Sequence, residues 1–226
     1  MSSVLNALSY QHFPIYAIMV LFLGAFLIVV FGGNRTARNI LALLSITASL
    51  AFILALVKHA RRNGELIAYW MGGRVPAGGY AIGIALEVDA LSLFFALLVS
   101  VAVFVSGVYS IQYMRHDDNE REYYTLFLML GGGVMGLVLS GDLFNMFIMV
   151  EILTFAAVAL TAFRNTAKGA LEAAFKYLVV GSIGSTCILV GTSMLYAQAH
   201  TLNLAQLAQV IPGNLNTATK VAFALL

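Results

Sequence analysis

Residues 143–163 read LFNMFIMVEILTFAAVALTAF, twenty-one positions with a single charged side chain, Glu151. A run of that length crosses about 30 Å of hydrocarbon as one continuous helix, because only a helix satisfies its own backbone there. Glu151 lies nine residues after Asp142 and twelve before Phe163, roughly 14 and 18 Å from the two ends at 1.5 Å per residue. An acid at that depth costs a few kcal/mol on insertion scales and normally faces a bundle interior or a water cavity. A carboxylate in that setting can take up and release a proton, so Glu151 marks a membrane protein that moves ions. The alternative is a structural carboxylate hydrogen-bonded inside the bundle. Thr154, Val158 and Thr161 follow at i+3, i+7 and i+10, a mildly polar stripe on the same face.

The same pattern recurs on both sides of this run. The chain has 226 residues, 61% hydrophobic and 10% charged, with a mean hydropathy of +0.93; soluble domains carry about 25% charged residues. Charges gather in short clusters, Lys58 to Arg62 and Arg115 to Glu122, between apolar runs. The expected fold is therefore an all-α polytopic helical bundle. Its spans are Pro14 to Gly32, Asn39 to Val57, Val88 to Tyr113, Tyr123 to Leu139, Leu143 to Phe163 and Ala170 to Ala199, six complete, with a seventh opening near Thr219. Residues 1–113 read as a three-helix segment, and 114–226 hold spans four to six and the opening of the seventh. The stretch from Lys58 to Glu87, with glycines at 64, 72, 73, 78 and 79 and Pro76, suits a hairpin-like loop better than a span. Leu204 to Val210 reads as a short amphipathic helix closed by Pro212 and Gly213.

Met1 to Phe13 holds no Lys or Arg, so the first run reads as a retained span rather than a cleaved leader. Lys and Arg divide nearly evenly between the two sets of loops, but one long loop holds most of one set, which points to an external N-terminus. A formal charge of +2 and the lack of basic, aromatic-interleaved patches set nucleic acid aside. The single cysteine, Cys187, can form neither an intramolecular disulfide nor an iron–sulfur or zinc site. No cofactor is expected in this chain, and any electron chemistry belongs to another subunit.

Lys168, Glu172 and Lys176 stand at i, i+4 and i+8 on the sixth run. Because a short turn joins the fifth and sixth runs, they pack antiparallel, and Lys176 and Glu151 differ in depth by about 6 Å on this reading. A lysine covers that directly or through one water, so Lys176 is the expected partner of Glu151. The competing reading is a snorkelling Lys176 held only by Glu172. Glu87 and Asp89 stand at the mouth of the third run and Asp142 in the turn before the fifth, where a carboxylate caps a helix N-terminus.

Four segments carry a family resemblance: VDALSLFFALLVS (88–100) with YSIQYM (109–114), SGDLFNMFIMVEIL (140–153), LEAAFKYLVVGSIGS (171–185) and GTSMLY (191–196). Over about Val88 to Leu204 the chain resembles the antiporter-like membrane subunits shared by respiratory complex I, Mrp-type cation/proton antiporters and energy-converting membrane-bound hydrogenases. The resemblance implies that Glu151 matches the family's fifth-helix glutamate, which works with a lysine in a broken seventh helix, and that Lys176 matches a basic residue of the sixth. It implies translocation of H+ or Na+ in the cytoplasmic (inner) membrane, beside other membrane subunits of such an assembly, by a chain that is itself non-catalytic within an oxidoreductase complex. Such subunits look like about fourteen spans in two inverted five-helix repeats, and the resemblance implies that 114–226 are the start of the first antiporter-type repeat. The sequence closes in KVAFALL at the opening of the seventh, so the expectation is the front half of such a subunit, with an incomplete inverted repeat. Three roles stay open: a redox-coupled ion-translocating subunit, a subunit of an Mrp-type antiporter without a redox partner, and a spacer that has lost translocation.

Overall fold

In a computed structural model of the chain, the described residues are 10–63, 67–73, 83–117, 119–164, 167, 169–213 and 216–226. Their helices are α1 (Phe13–Phe31), α2 (Arg35–Asn63), α3 (Ala90–Tyr113), α4 (Glu120–Val138), α5 (Leu143–Thr161), α6 (Ala170–Ala199), α7 (Leu204–Val210) and α8 (Thr217–Leu225). Strands β1 (Ile67–Trp70) and β2 (Ala85–Val88) pair antiparallel between α2 and α3, with Ile67 opposite Val88 and Trp70 opposite Ala85. Of the loop expected over Lys58 to Glu87, Lys58–Asn63 instead continue α2 and the two strands form a hairpin, while 64–66 and 74–82 lie outside the described residues.

Five described helices, α1, α2, α3, α5 and α6, are long and apolar enough to cross a membrane. The fourth expected run also forms a helix, α4, 19 residues long, but its first turn carries Glu120, Arg121 and Glu122 and its middle three consecutive glycines. That composition lowers its apolar character below that of its neighbours. It is nevertheless central to the packing. Tyr124, Leu128, Met135 and Leu139 share one buried apolar cluster with the α1 stripe Ala17, Ile18, Leu21, Ala25 and Ile28 and with Ala42, Ile46, Ile53 and Leu56 of α2. These α1 positions recur at three- and four-residue spacing, the signature of one buried helix face. The opposite faces present Phe26, Val30, Leu98 and Val105, more than half exposed, as suits an apolar surround.

Helix ends follow local chemistry. Asp89 caps α3 by accepting the Ser92 amide at 2.6 Å, while Ser92 Oγ accepts the Asp89 amide at 2.8 Å, a complete capping box. The third span therefore begins at Ala90, and Val88, expected within it, belongs to β2 instead. Glu87, expected as a cap, is no cap: it sits in β2, and its Oε1 accepts a hydrogen bond from Asn203 Nδ2 at 3.0 Å. Asn203 caps α7 and Asn216 caps α8, whose first residue is Thr217. The short helix Leu204–Val210 forms over the expected residues.

The hairpin, the α4–α5 turn and the loop after α6 are knitted together on one face of the bundle. The Glu87 amide donates to Leu139 O at 2.9 Å, the Gly141 amide to Ala85 O at 2.9 Å, and the Leu143 amide to Leu202 O at 3.0 Å. The opposite face is tied by ions. Glu120, on the first turn of α4, takes Arg38 on one oxygen and Arg35 on the other, the latter at 2.9 Å. Arg164, just beyond α5, donates through Nε and Nη2 to Asp117 Oδ2 at 3.2 and 3.0 Å, with its guanidinium 5.4 Å from the Tyr113 ring centre. The contact with Asp117 raises the pKa of the exposed Arg164 guanidinium above its ordinary value.

Candidate functional site

Glu151 stands near the centre of α5, and its orientation follows from what flanks it. On α4, a methyl added at Gly136 would lie 2.4 Å from Met149 Sδ, and one at Gly133 would lie 3.1 Å from Leu153 N. The absence of those methyls lets α4 and α5 backbones approach closely. Met149 and Leu153 are two residues before and after Glu151, so at 100° per residue Glu151 points almost diametrically away from α4. It is only partly buried. The acid thus faces the side of α5 that α4 leaves open.

Helix α6 covers the flank. A methyl at Gly181 would lie 2.8 Å from Thr154 Cγ2, which fixes the antiparallel register of the two helices. Glu151 is three residues below Thr154 and Lys176 five residues before Gly181, so the two lie on opposite sides of this contact, about 12 Å apart along the axes. The separation of about 6 Å expected from sequence is doubled. The Cα–Cβ bonds of antiparallel helices tilt toward their own N-termini, which aims these two side chains further apart. Lys176 Nζ instead donates to Glu172 Oε1 at 2.6 Å, with both side chains about 70% exposed. The expected Glu151–Lys176 pair is therefore corrected to an i,i+4 pair on the surface of α6. Level with Glu151 on α6 are Gly184 and Ser185; Ser185 is buried, and a methyl at Gly184 would meet nothing within 4 Å.

The supporting polar residues divide. Thr154 supplies the helix–helix contact, whereas Thr161 donates to the Ala157 carbonyl at 2.8 Å and is exposed. Asp142 caps α5 as expected: its Oδ1 accepts the Asn145 amide at 3.0 Å, and Asn145 Nδ2 donates to Ser140 Oγ at 2.9 Å. Asp142 is buried, and that desolvation pushes its carboxyl above the ordinary range despite the cap bonds, which act the other way. A cleft of about 790 Å³ opens nearby between the hairpin and the starts of α3 and α7, lined by Trp70, Glu87, Phe95 and Asn203 among others. Among the described residues no three His, Cys, Asp or Glu side chains converge into a metal-holding group. The buried Arg38–Glu120 pair was not singled out from sequence, and the signal was available only as two loop-end charges 82 residues apart.

Five described helices long and apolar enough to cross a membrane, one of them with an acid at its middle, define a polytopic α-helical membrane protein. Residues 140–226 match the family model described as "NADH:quinone oxidoreductase/Mrp antiporter, TM", and residues 74–124 match "NADH-Ubiquinone oxidoreductase (complex I), chain 5 N-terminus". The chain is 34% identical to an NADH-quinone oxidoreductase subunit of Desulforudis audaxviator, over 76% of this chain and 33% of that protein. It is 25% identical to an Na(+)/H(+) antiporter subunit of Alkalihalophilus pseudofirmus, over 86% of this chain and 38% of that one. A chain of an archaeal respiratory complex, the membrane-bound sulfane sulfur reductase, superposes with a TM-score of 0.85 at 29% identity, covering 94% of this chain and 42% of that one. The chain belongs to the antiporter-like membrane subunit family common to NADH:quinone oxidoreductase and Mrp complexes. It spans about a third to two fifths of the length of these relatives.

Proposed function

We propose that the chain works as the front part of an ion-translocating subunit in a multi-subunit complex of the cytoplasmic membrane, which couples redox energy to the movement of H+ or Na+. The observation that carries this is Glu151: a carboxylate at the middle of an apolar helix, turned away from α4 by the Gly133 and Gly136 contacts, with no hydrogen bond or ion pair among the described residues to neutralise it. A structural acid in hydrocarbon is satisfied by its own bundle. Glu151 instead lies partly buried on the side of α5 opposite α4, with α6 on its flank, which is the arrangement a relay member needs. Electron transfer and any redox group are assigned to companion subunits. Helix α4 counts as a sixth span in this reading because it packs between α1 and α5, both spans in their own right, and α8 is the opening of a seventh.

A second reading is specifically favoured by the likeness to the Alkalihalophilus antiporter protein, namely a secondary Na+/H+ antiporter driven by an existing gradient. The companions that co-purify separate the two: iron–sulfur or hydrogenase-type subunits support the first, and small membrane subunits alone support the second. The assignment of Glu151 is tested in sealed vesicles carrying the assembled complex. Glu151→Gln is expected to leave assembly intact and abolish most ion transport, with Glu151→Asp milder because the charge survives. Full transport in Glu151→Gln would remove the acid from the path.

A further inference from the structure

On the face that carries the hairpin, a cavity of about 190 Å³ lies at the joint of α5 and α6, lined by Asp142, Phe144, Tyr196, His200 and Thr201 among others. One water requires about 10–15 Å³ by this kind of measure, so the cavity holds several. Its position relative to Glu151 is set by helical spacing. Phe144 precedes Glu151 by seven residues, 20° away on the same face of α5. On α6, Thr192 precedes Tyr196 by four residues and follows Ser185 by seven, which places all three along one stripe. Thr192 and Ser185 are both buried, and Ser185 is level with Glu151 by the Thr154–Gly181 register.

Thr192 carries the one fully buried hydroxyl without a partner among the described residues. Thr161, Thr186, Ser45 and Ser100 each donate to the carbonyl four residues back, the usual way a hydroxyl is satisfied in an apolar helix. Thr192 is 2% exposed, and its Oγ1 has no hydrogen-bond partner among the described residues. An unmet buried hydroxyl is costly, so it persists where another group, such as water, meets it. Its place is one turn inward from the cavity wall at Tyr196.

We propose that the α5–α6 seam is a water-borne access path between the hairpin face and Glu151. The cavity at Asp142 and His200 is its mouth, Thr192 its first inner hydroxyl and Ser185 its inner end. About 10 Å separates Thr192 from Ser185, with Ile188 between them on the stripe, so this apolar stretch gates the path. The path carries a proton along waters or a hydrated cation, with no bond made other than to Glu151.

This rests on Glu151 as the ion-carrying acid, and the two ideas fail separately. In the assembled complex in sealed vesicles, with Cys187→Ser as background, Thr192→Cys and Ser185→Cys are exposed to a membrane-impermeant, water-carried thiosulfonate. Gln209→Cys, exposed on the hairpin face, gives the aqueous rate, and Leu98→Cys, on an apolar outer face, gives the buried rate. The expected result is labelling of both seam positions from the hairpin face, with loss of transport on labelling. Labelling at the Leu98→Cys rate, only from the opposite face, or without effect on transport overturns the path. If Thr192→Cys fails to assemble, the near-isosteric Ser185→Cys decides alone. An active complex with unlabelled seam positions removes the path and leaves Glu151 in place. Full transport in Glu151→Gln removes the ion-carrying acid whatever the labels show.

Discussion

Thr154 on α5 and Gly181 on α6 meet so closely that a methyl on Gly181 would lie 2.8 Å from Thr154 Cγ2. This one contact sets the height of Ser185 against Glu151 and, with it, the distance of Lys176 from that acid along the helices. Gly181→Ala is expected to separate the helices and destabilise the protein by about 1–3 kcal/mol, the usual range for overpacking. Thr154→Ser removes the methyl in the way while keeping the hydroxyl. The double variant should recover most of the loss, so thermal unfolding of the four-member cycle in detergent reads a favourable coupling. Additive losses would show that the two residues do not share the contact.

Glu120 is the shared acceptor of Arg35 and Arg38, with the Glu120 and Arg38 side chains about nine-tenths buried. Glu120→Gln strands the Arg38 guanidinium, whose Nε has no partner among the described residues, inside the bundle. Removing one member of a buried pair costs about 3–5 kcal/mol, enough to deplete the folded protein from membranes. Replacing Glu120 and Arg38 together by Met and Leu should cost much less, because no charge is then left buried. Protein abundance and melting temperature of the single and double variants check this.

The spans and the small elements between them were legible because each rests on local composition. Apolar runs gave the helices, glycines and a proline the hairpin, and Pro212 with Gly213 the end of α7. Asp142 was legible as a cap for the same reason. The partner of Lys176 was not, since it depends on where α5 and α6 touch, and a methyl-sized fit between Thr154 and Gly181 leaves no periodic trace. Measuring depth from Phe163 and Lys168 also assumed a shorter turn than the one between Thr161 and Ala170. Arg38 and Glu120 were visible as charges at span ends, but only packing of α2 against α4 makes them a pair. Glu87 looked like a cap by its nearness to α3. The strand carries it past the helix end and turns it to Asn203.

Gly141 holds the hairpin to the bundle by its lack of a side chain. A methyl there would lie 2.5 Å from Glu87 Cγ and Cδ, and so would push Glu87 off Asn203 Nδ2. Gly141→Ala is expected to loosen β2 from the α4–α5 turn, seen as faster amide hydrogen exchange at Glu87 and Gly141 and lower thermal stability, by about 1–3 kcal/mol. Adding Glu87→Ala frees the space at the expense of one hydrogen bond and should slow the exchange again. Unchanged exchange in Gly141→Ala would show that the turn yields without disturbing the strand.

The two helix caps answer pH in opposite directions. Asp89 accepts the Ser92 amide, and this holds its carboxyl below the ordinary 3.8. Its cap contribution is therefore present above that value and lost as pH falls through the lower folded pKa. Asp142 is raised by burial, so its favourable contribution is present below 3.8 and declines as pH rises through the higher folded pKa. The ionised form of Asp142 carries a desolvation cost that its bond from the Asn145 amide offsets only in part. Asp142→Asn keeps a cap acceptor without the charge and should be neutral or slightly stabilising at pH 7, while Asp142→Ala loses the cap and about 1 kcal/mol. At Asp89 both changes should destabilise at pH 7, because the favoured ionised acceptor is lost in each. Melting temperatures of the four variants at pH 7 check the contrast, and a destabilised Asp142→Asn beside an unaffected Asp89→Asn would reverse the assignment of which carboxylate burial opposes.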